Sequence, residues 1–164
     1  MSDSLRTPDP SPAASVPGGA PSAPPVSDEL REHFAPLLQG TLLERCGIEL
    51  LTLDAGGGTA TMPVQGNTQP AGLLHGGATI ALAESIASFA ALLQARAAHG
   101  DGAQAVGTSV SALHHRSARS GRVLASCTPL HLGRQVANYQ VDVHDEQGGL
   151  LSTVSVATQL LPPR

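Results

Sequence analysis

Residues 77–98 read GATIALAESIASFAALLQARAA, and the reading of this stretch decides the fold. Leu82, Ile86, Phe89 and Leu93 recur at helical spacing, which predicts a helix over 77–98, roughly 33 Å long at ~1.5 Å per residue. The rest of its circumference is Ala, Ser, Thr and Gly rather than charge, so it is apolar nearly all round and belongs inside something. A membrane is a poor host. The side chains are mostly small, and Glu84 would lie mid-bilayer at a cost of a few kcal/mol.

Beyond Gly100-Asp101-Gly102 come four strand-like runs, 104–114, 122–132, 135–144 and 150–160. In the third, Ala137, Tyr139, Val141 and Val143 alternate with Asn138, Gln140, Asp142 and His144; in the fourth, Leu150, Val154, Val156 and Leu160 share a face. The connections 117–121, Gly133 and 145–149 read as hairpins. Ahead of the helix, strands are predicted over 48–54 and 59–64, joined by a turn at Gly56-Gly57-Gly58. Ser27 is positioned to cap a short helix with Asp28 and Glu29 in its first turn, and Thr41 with Glu44 forms a capping box. This order predicts an α+β fold in which one antiparallel sheet wraps around one long central helix.

With 164 residues there is room for one domain, read as 28–164. Residues 1–27 hold seven of the thirteen prolines among Ser, Ala and Gly, and read as a disordered tail. Charged residues are only 13% of the chain, so much of the surface should be covered by a partner subunit. A net charge of −4 leaves no general footprint for nucleic acid or an anionic membrane. Two cysteines and no apolar leader point to a reduced, cytoplasmic protein.

Within this frame Glu84 stands out as the only charged residue between Asp54 and Arg96. Embedding a carboxylate in apolar surroundings costs several kcal/mol unless it is paired or reaches water. Gly77, Ile80, Ala81, Ser88 and Ala91 flank it on the same helical face, and most are small enough to leave room beside the acid. The run Asn67-Thr68-Gln69-Pro70-Ala71-Gly72-Leu73-Leu74-His75-Gly76-Gly77 leads into this helix, whose first N–H groups and dipole favour developing negative charge. Gly76 and Gly77 clear the approach, and His75 offers a proton or hydrogen-bond donor. Amides, imidazole and acid are thus expected around one helix entrance. The other histidines lack zinc spacing, the glycines are followed by no Gly-Lys-Ser/Thr, and no Gly-x-Ser-x-Gly elbow occurs, so any catalysis rests on the acid.

The runs Met62-Pro63-Val64, Gln69-Pro70-x-Gly72-Leu73-Leu74-His75-Gly76-Gly77-Ala78 and Leu82-Ala83-Glu84-Ser85-Ile86 resemble the hotdog-fold acyl-CoA thioesterases of the phenylacetic-acid-degradation type. So do Arg116-Ser117-Ala118-Arg119-x-Gly121-Arg122-Val123 and Pro129-Leu130-His131-Leu132-Gly133, and the likeness spans about 41–161. The subgroup it is most similar to acts on aromatic thioesters, 1,4-dihydroxy-2-naphthoyl-CoA, aryl-carrier proteins and 4-hydroxybenzoyl-CoA among them. The resemblance implies a homotetramer built from dimers, with each site at a dimer interface, and an acyl-CoA or acyl-carrier-protein thioester as substrate. It also implies Glu84 as nucleophile or general base, the Gly76 N–H polarising the carbonyl, Gln69 positioning the reacting group, His75 the thioester and its thiolate, and Ser88 the attacking water or acid. His114 and Gly77 would contact substrate, while Arg116, Ser117 and Arg119, near Arg122, would lie by the CoA phosphates. Thiolate is a good leaving group, so no metal or other cofactor is expected. A hotdog 3-hydroxyacyl dehydratase and a non-catalytic acyl-CoA-binding module are the competing readings.

Overall fold

Ser27 does start a helix. In the computed structural model, which describes residues 24–164, its side chain accepts the Leu30 N–H (3.2 Å) at the head of α1 (Asp28–Leu38). The expected tail lies outside the described residues over 1–23, whereas residues 24–26 pair along the strand that follows. Leu53 N–H reaches Pro24 O (3.1 Å), Val26 N–H reaches Leu51 O (3.0 Å), and Val26 is buried. The domain therefore begins before residue 28. Thr41 precedes α2 (Leu42–Cys46) as expected, but the capping box does not form. Its hydroxyl donates back to Leu38 O (2.5 Å), while the Glu44 carboxylate takes the Gly40 N–H (2.6 Å).

Strands β1 (Glu49–Asp54) and β2 (Gly57–Pro63) form a hairpin, with a correction at the glycines. Gly57 and Gly58 are strand residues, not turn. A Cβ at Gly57 would lie 2.1 Å from Cys127 O, and one at Gly58 equally close to Thr52 O, so the ladders on both sides of β2 close only over bare backbone. Tyr139, fully buried, donates its hydroxyl to Ala55 O (3.0 Å) and anchors the turn itself.

Helix α3 (Gly76–His99) extends the expected helix by one residue at each end. It is long and apolar enough to cross a membrane, yet it packs on all six strands. Leu82, Ala83, Ile86, Ala87, Ala90 and Ala91 are buried against the sheet, whose facing residues include Val123, Ala125, Cys127, Tyr139, Val141, Val143, Val154 and Val156. The small alanines let the helix lie close, and the alternation read in 136–144 appears as alternate burial.

The later strands are β3 (Gln104–His114), β4 (Arg122–Leu132), β5 (Val136–His144) and β6 (Leu150–Leu161), all within a residue of the expected bounds. The sheet is antiparallel in the order β1-β2-β4-β5-β6-β3. Gly133 and residues 145–149 do make hairpins. Residues 115–121 do not: β3 pairs with β6, so this connection carries the chain past the ends of β6 and β5 to reach β4. On the way Ala118 O accepts the Leu74 N–H (2.8 Å) and Gly121 O the Val64 N–H (2.9 Å), latching the loop that enters α3. It leaves β3 as an open edge, exposed along most of its length.

Candidate active site

The loop into α3 is built from its own backbone. Gln69 N–H bonds Leu73 O (2.8 Å) and Gly72 N–H bonds Gln69 O (2.9 Å), a tight turn for which Gly72 adopts φ 71°. His75 N–H bonds Asn67 O (2.9 Å), and the Asn67 side-chain amide donates to Cys46 O (2.8 Å) and Pro63 O (2.9 Å). Asn67 is thus a staple that ties the loop to α2 and β2.

His75 is the N-cap of α3, and its Nδ1 accepts the Gly77 N–H (2.8 Å). Its carbonyl takes the N–H groups of Ala78 (3.0 Å) and Thr79 (3.1 Å). Among the first N–H groups of the helix, Gly77's is therefore occupied by His75. Gly76's has no hydrogen-bond partner among the described residues and borders a cavity of about 530 Å³. Gln69, Thr79, His114, Arg116 and Ser117 line the same cavity. The His114 ring lies against Gly76: a Cβ there would come within 2.8 Å of Nε2. His114 Nδ1 is 2.8 Å from the Oγ of Ser152, which is buried.

The acid is elsewhere. Glu84 follows Gly76 by eight residues, or about 12 Å along the axis at 1.5 Å per residue, so the expectation of one shared helix entrance fails within a single chain. Its half-buried carboxylate rests over β3 beside Gly107, where a Cβ would meet Oε1 at 3.1 Å. Pairing with β6 shifts register between Gly107 and Ser109, so the glycine both admits the carboxylate and sits at an irregularity. Ser88, one turn further on, lines a smaller cavity of about 280 Å³ with Phe89, Leu92, Gln104 and Ala105.

The arginines also divide. Arg122 is committed to structure: Nη2 pairs with Glu49 (2.9 Å) and Nε donates to the Thr61 hydroxyl (3.2 Å). Arg116 lines the larger cavity with its Nη1 over Gly149, and Arg119 lies exposed on the 115–121 connection but not on that cavity. Sequence reasoning missed Ser152, Thr79 and Gly107. For Gly107 a signal existed, since an isolated glycine inside a strand pattern marks a bulge or a close approach.

Residues 71–152 match the Thioesterase superfamily. The chain is 46% identical over 123 residues to the proofreading thioesterase EntH of Cronobacter turicensis, covering 74% of this chain and 87% of that protein. It is 43% identical over 124 residues to the EntH of Klebsiella pneumoniae, covering 75% and 88%. Among solved structures, it is similar to a thioesterase from Haemophilus influenzae (34% identity, TM-score 0.72, 80% of this chain and 90% of that one). It is likewise similar to a mutant thioesterase from Pseudomonas aeruginosa (32%, TM-score 0.73, 80% and 93%). Relatives this close over this much of both chains share more than an outline, and the chain belongs to the thioesterase superfamily as a hotdog-fold thioester hydrolase.

Proposed function

We propose that the protein hydrolyses an aromatic acyl thioester carried on the phosphopantetheine arm of CoA or of a carrier protein, in a site that two copies of the chain build together. The observation that carries this reading is the separation of Gly76 from Glu84 on one helix. An oxyanion donor works at ~2.7–3.1 Å from the carbonyl oxygen and an attacking group at ~3–3.5 Å from its carbon, so a thioester held by one Gly76 is beyond reach of the same chain's Glu84. The Glu84 of a second copy meets the requirement if the copies associate along the open β3 edge, beside which the carboxylate rests.

The Gly76 N–H, reinforced by the helix dipole, takes the charge that gathers on the carbonyl oxygen. Glu84 either deprotonates the water that attacks the carbonyl carbon or attacks it directly, forming a mixed anhydride that water then hydrolyses; the C–S bond breaks, the product acid keeps the oxygen of water, and the departing thiolate takes the proton that water gave up. Ser88 holds the water or the acid, Gln69 and His75 hold the thioester, and His114 contacts it. Arg116 and Arg119, in no ion pair among the described residues, face the phosphates of the donor with Ser117 between them. The cavity beside Ser88, walled by Phe89, Leu92 and Ala105, suits a flat apolar acyl group and supports the aromatic assignment. The chemistry asks for no cofactor, and a CoA- or carrier-borne substrate supports the reading of a cytoplasmic protein.

Thiol release from a panel of aromatic and aliphatic acyl-CoA thioesters tests this. Turnover is expected to favour aromatic acyl groups and to fall at least ~100-fold in Glu84→Gln, about 2.7 kcal/mol of barrier. Undiminished turnover in that variant overturns the role of Glu84, and equal use of aliphatic substrates overturns the aromatic assignment.

A further inference from the structure

His114 of β3 and Ser152 of β6 lie directly opposite each other in the register of the two strands. The Ser152 Oγ stands 2.8 Å from His114 Nδ1, and Ser152 is 2% exposed with no other side-chain partner among the described residues. Ser152 also lines the cavity, but at 2% exposure it has little access to water there, so a serine that merely accepted from Nδ1 would leave its hydroxyl proton with no protein acceptor among the described residues, which folded proteins avoid. Donating to Nδ1 satisfies both atoms. An uncharged imidazole carries one proton, so that proton then sits on Nε2. Nε2 is the ring atom nearest to where a Gly76 side chain would project, and so lies beside the free Gly76 N–H at the cavity.

We propose that Ser152 is a positioning residue for thioester hydrolysis: by donating to His114 Nδ1 it holds the imidazole in the tautomer whose Nε2–H joins the Gly76 N–H as a second donor to the carbonyl oxygen. The kinetic part rests on the site proposed above; the tautomer does not. His115 makes a similar contact to the Thr153 hydroxyl (3.2 Å), but that pair is exposed, so water can replace either partner. Burial makes Ser152 the more decisive hydroxyl.

Long-range proton–nitrogen NMR of the histidine rings in the intact wild-type protein reads the tautomer without any variant. The proton is expected on Nε2 of His114; finding it on Nδ1 overturns the proposal. In Ser152→Ala the ring is expected to become a mixture of tautomers, with kcat lowered at least ~10-fold and KM within about twofold, and Ser152→Thr is expected to restore most of kcat. Wild-type kcat in Ser152→Ala, or a Ser152→Thr protein that folds yet stays as slow as the alanine variant, would defeat the assignment. Should Glu84→Gln keep full turnover while Ser152→Ala loses it, the role of Glu84 fails and that of Ser152 survives.

Discussion

Gly76 has no side chain because His114 occupies the space one would need. Alanine suits a helical first turn, so Gly76→Ala is expected to leave the melting temperature within a few degrees while displacing the imidazole and cutting kcat at least ~10-fold, the two being separated by thermal unfolding and thiol release. Cys127 supports a prediction about pH. Burial pushes its thiol up to about 12, and burial likewise raises the hydroxyl of Tyr139, with Cys127 and Asp54 adding to the effect. In the unfolded chain the thiol ionises near 9.0, so its contribution to stability is whole below that pH and drains away as pH climbs toward about 12. Unfolding free energies from urea titrations between pH 8 and 11 should fall, by at most ~1.4 kcal/mol per pH unit for this group, and fall less steeply in Cys127→Ala. At this scale the sequence was legible where chemistry was rare. A lone carboxylate in an apolar helix and a glycine pair at its start are conspicuous, whereas Ser152 is one more serine in a β pattern until strand pairing sets it against His114.

Elements were legible wherever one period ruled. The helix over 77–98 and the alternation in 136–144 needed no tertiary information, although of the helical stripe Leu82, Ile86, Phe89 and Leu93 only Leu82 and Ile86 are fully buried, the deepest face running instead along Ala83, Ala87, Ala90 and Ala91. Gly57 and Gly58 misled because glycine signals a turn and a close strand approach alike, and only the Cys127 and Thr52 carbonyls decide between them. Helix α1 is held from outside itself. Phe34, 2% exposed, meets Phe89 edge-on at 4.7 Å, and His33 Nε2 lies 3.3 Å from the Arg96 guanidinium. Phe34→Ala is expected to destabilise the protein by ~3–5 kcal/mol in urea unfolding and to expose α1 amides to hydrogen exchange, since the ring is the helix's main buried anchor. Because Phe89 walls the cavity beside Ser88, selectivity among acyl groups should loosen in the same variant.

At the level of the whole molecule, the β3–β4 connection was the least legible feature. A glycine-bearing stretch between two strands reads as a hairpin from sequence alone, and nothing local reports that β6, later in the chain, takes the place beside β3. The open edge that results supports an assembly test. Glu84→Gln and Gln69→Ala subunits, each impaired alone, are expected to regain about a quarter of wild-type turnover when unfolded together and refolded as an equal mixture, because a quarter of paired sites then draw both intact halves from different copies. No recovery, with mixed oligomers demonstrated by mass spectrometry, would place acid and amide in one chain. The crossover has another mechanical effect. Leu74 and Val64 hang from the same few residues that carry Arg116 and Arg119, so in the proposed site the strip that would meet the outer end of a long substrate is bolted to the rim that would meet its inner end. If the proposed site holds, such a frame would work as a gauge, setting how far a pantetheine-length arm must reach before its carbonyl arrives, and a shorter thiol ester would engage only one end of it.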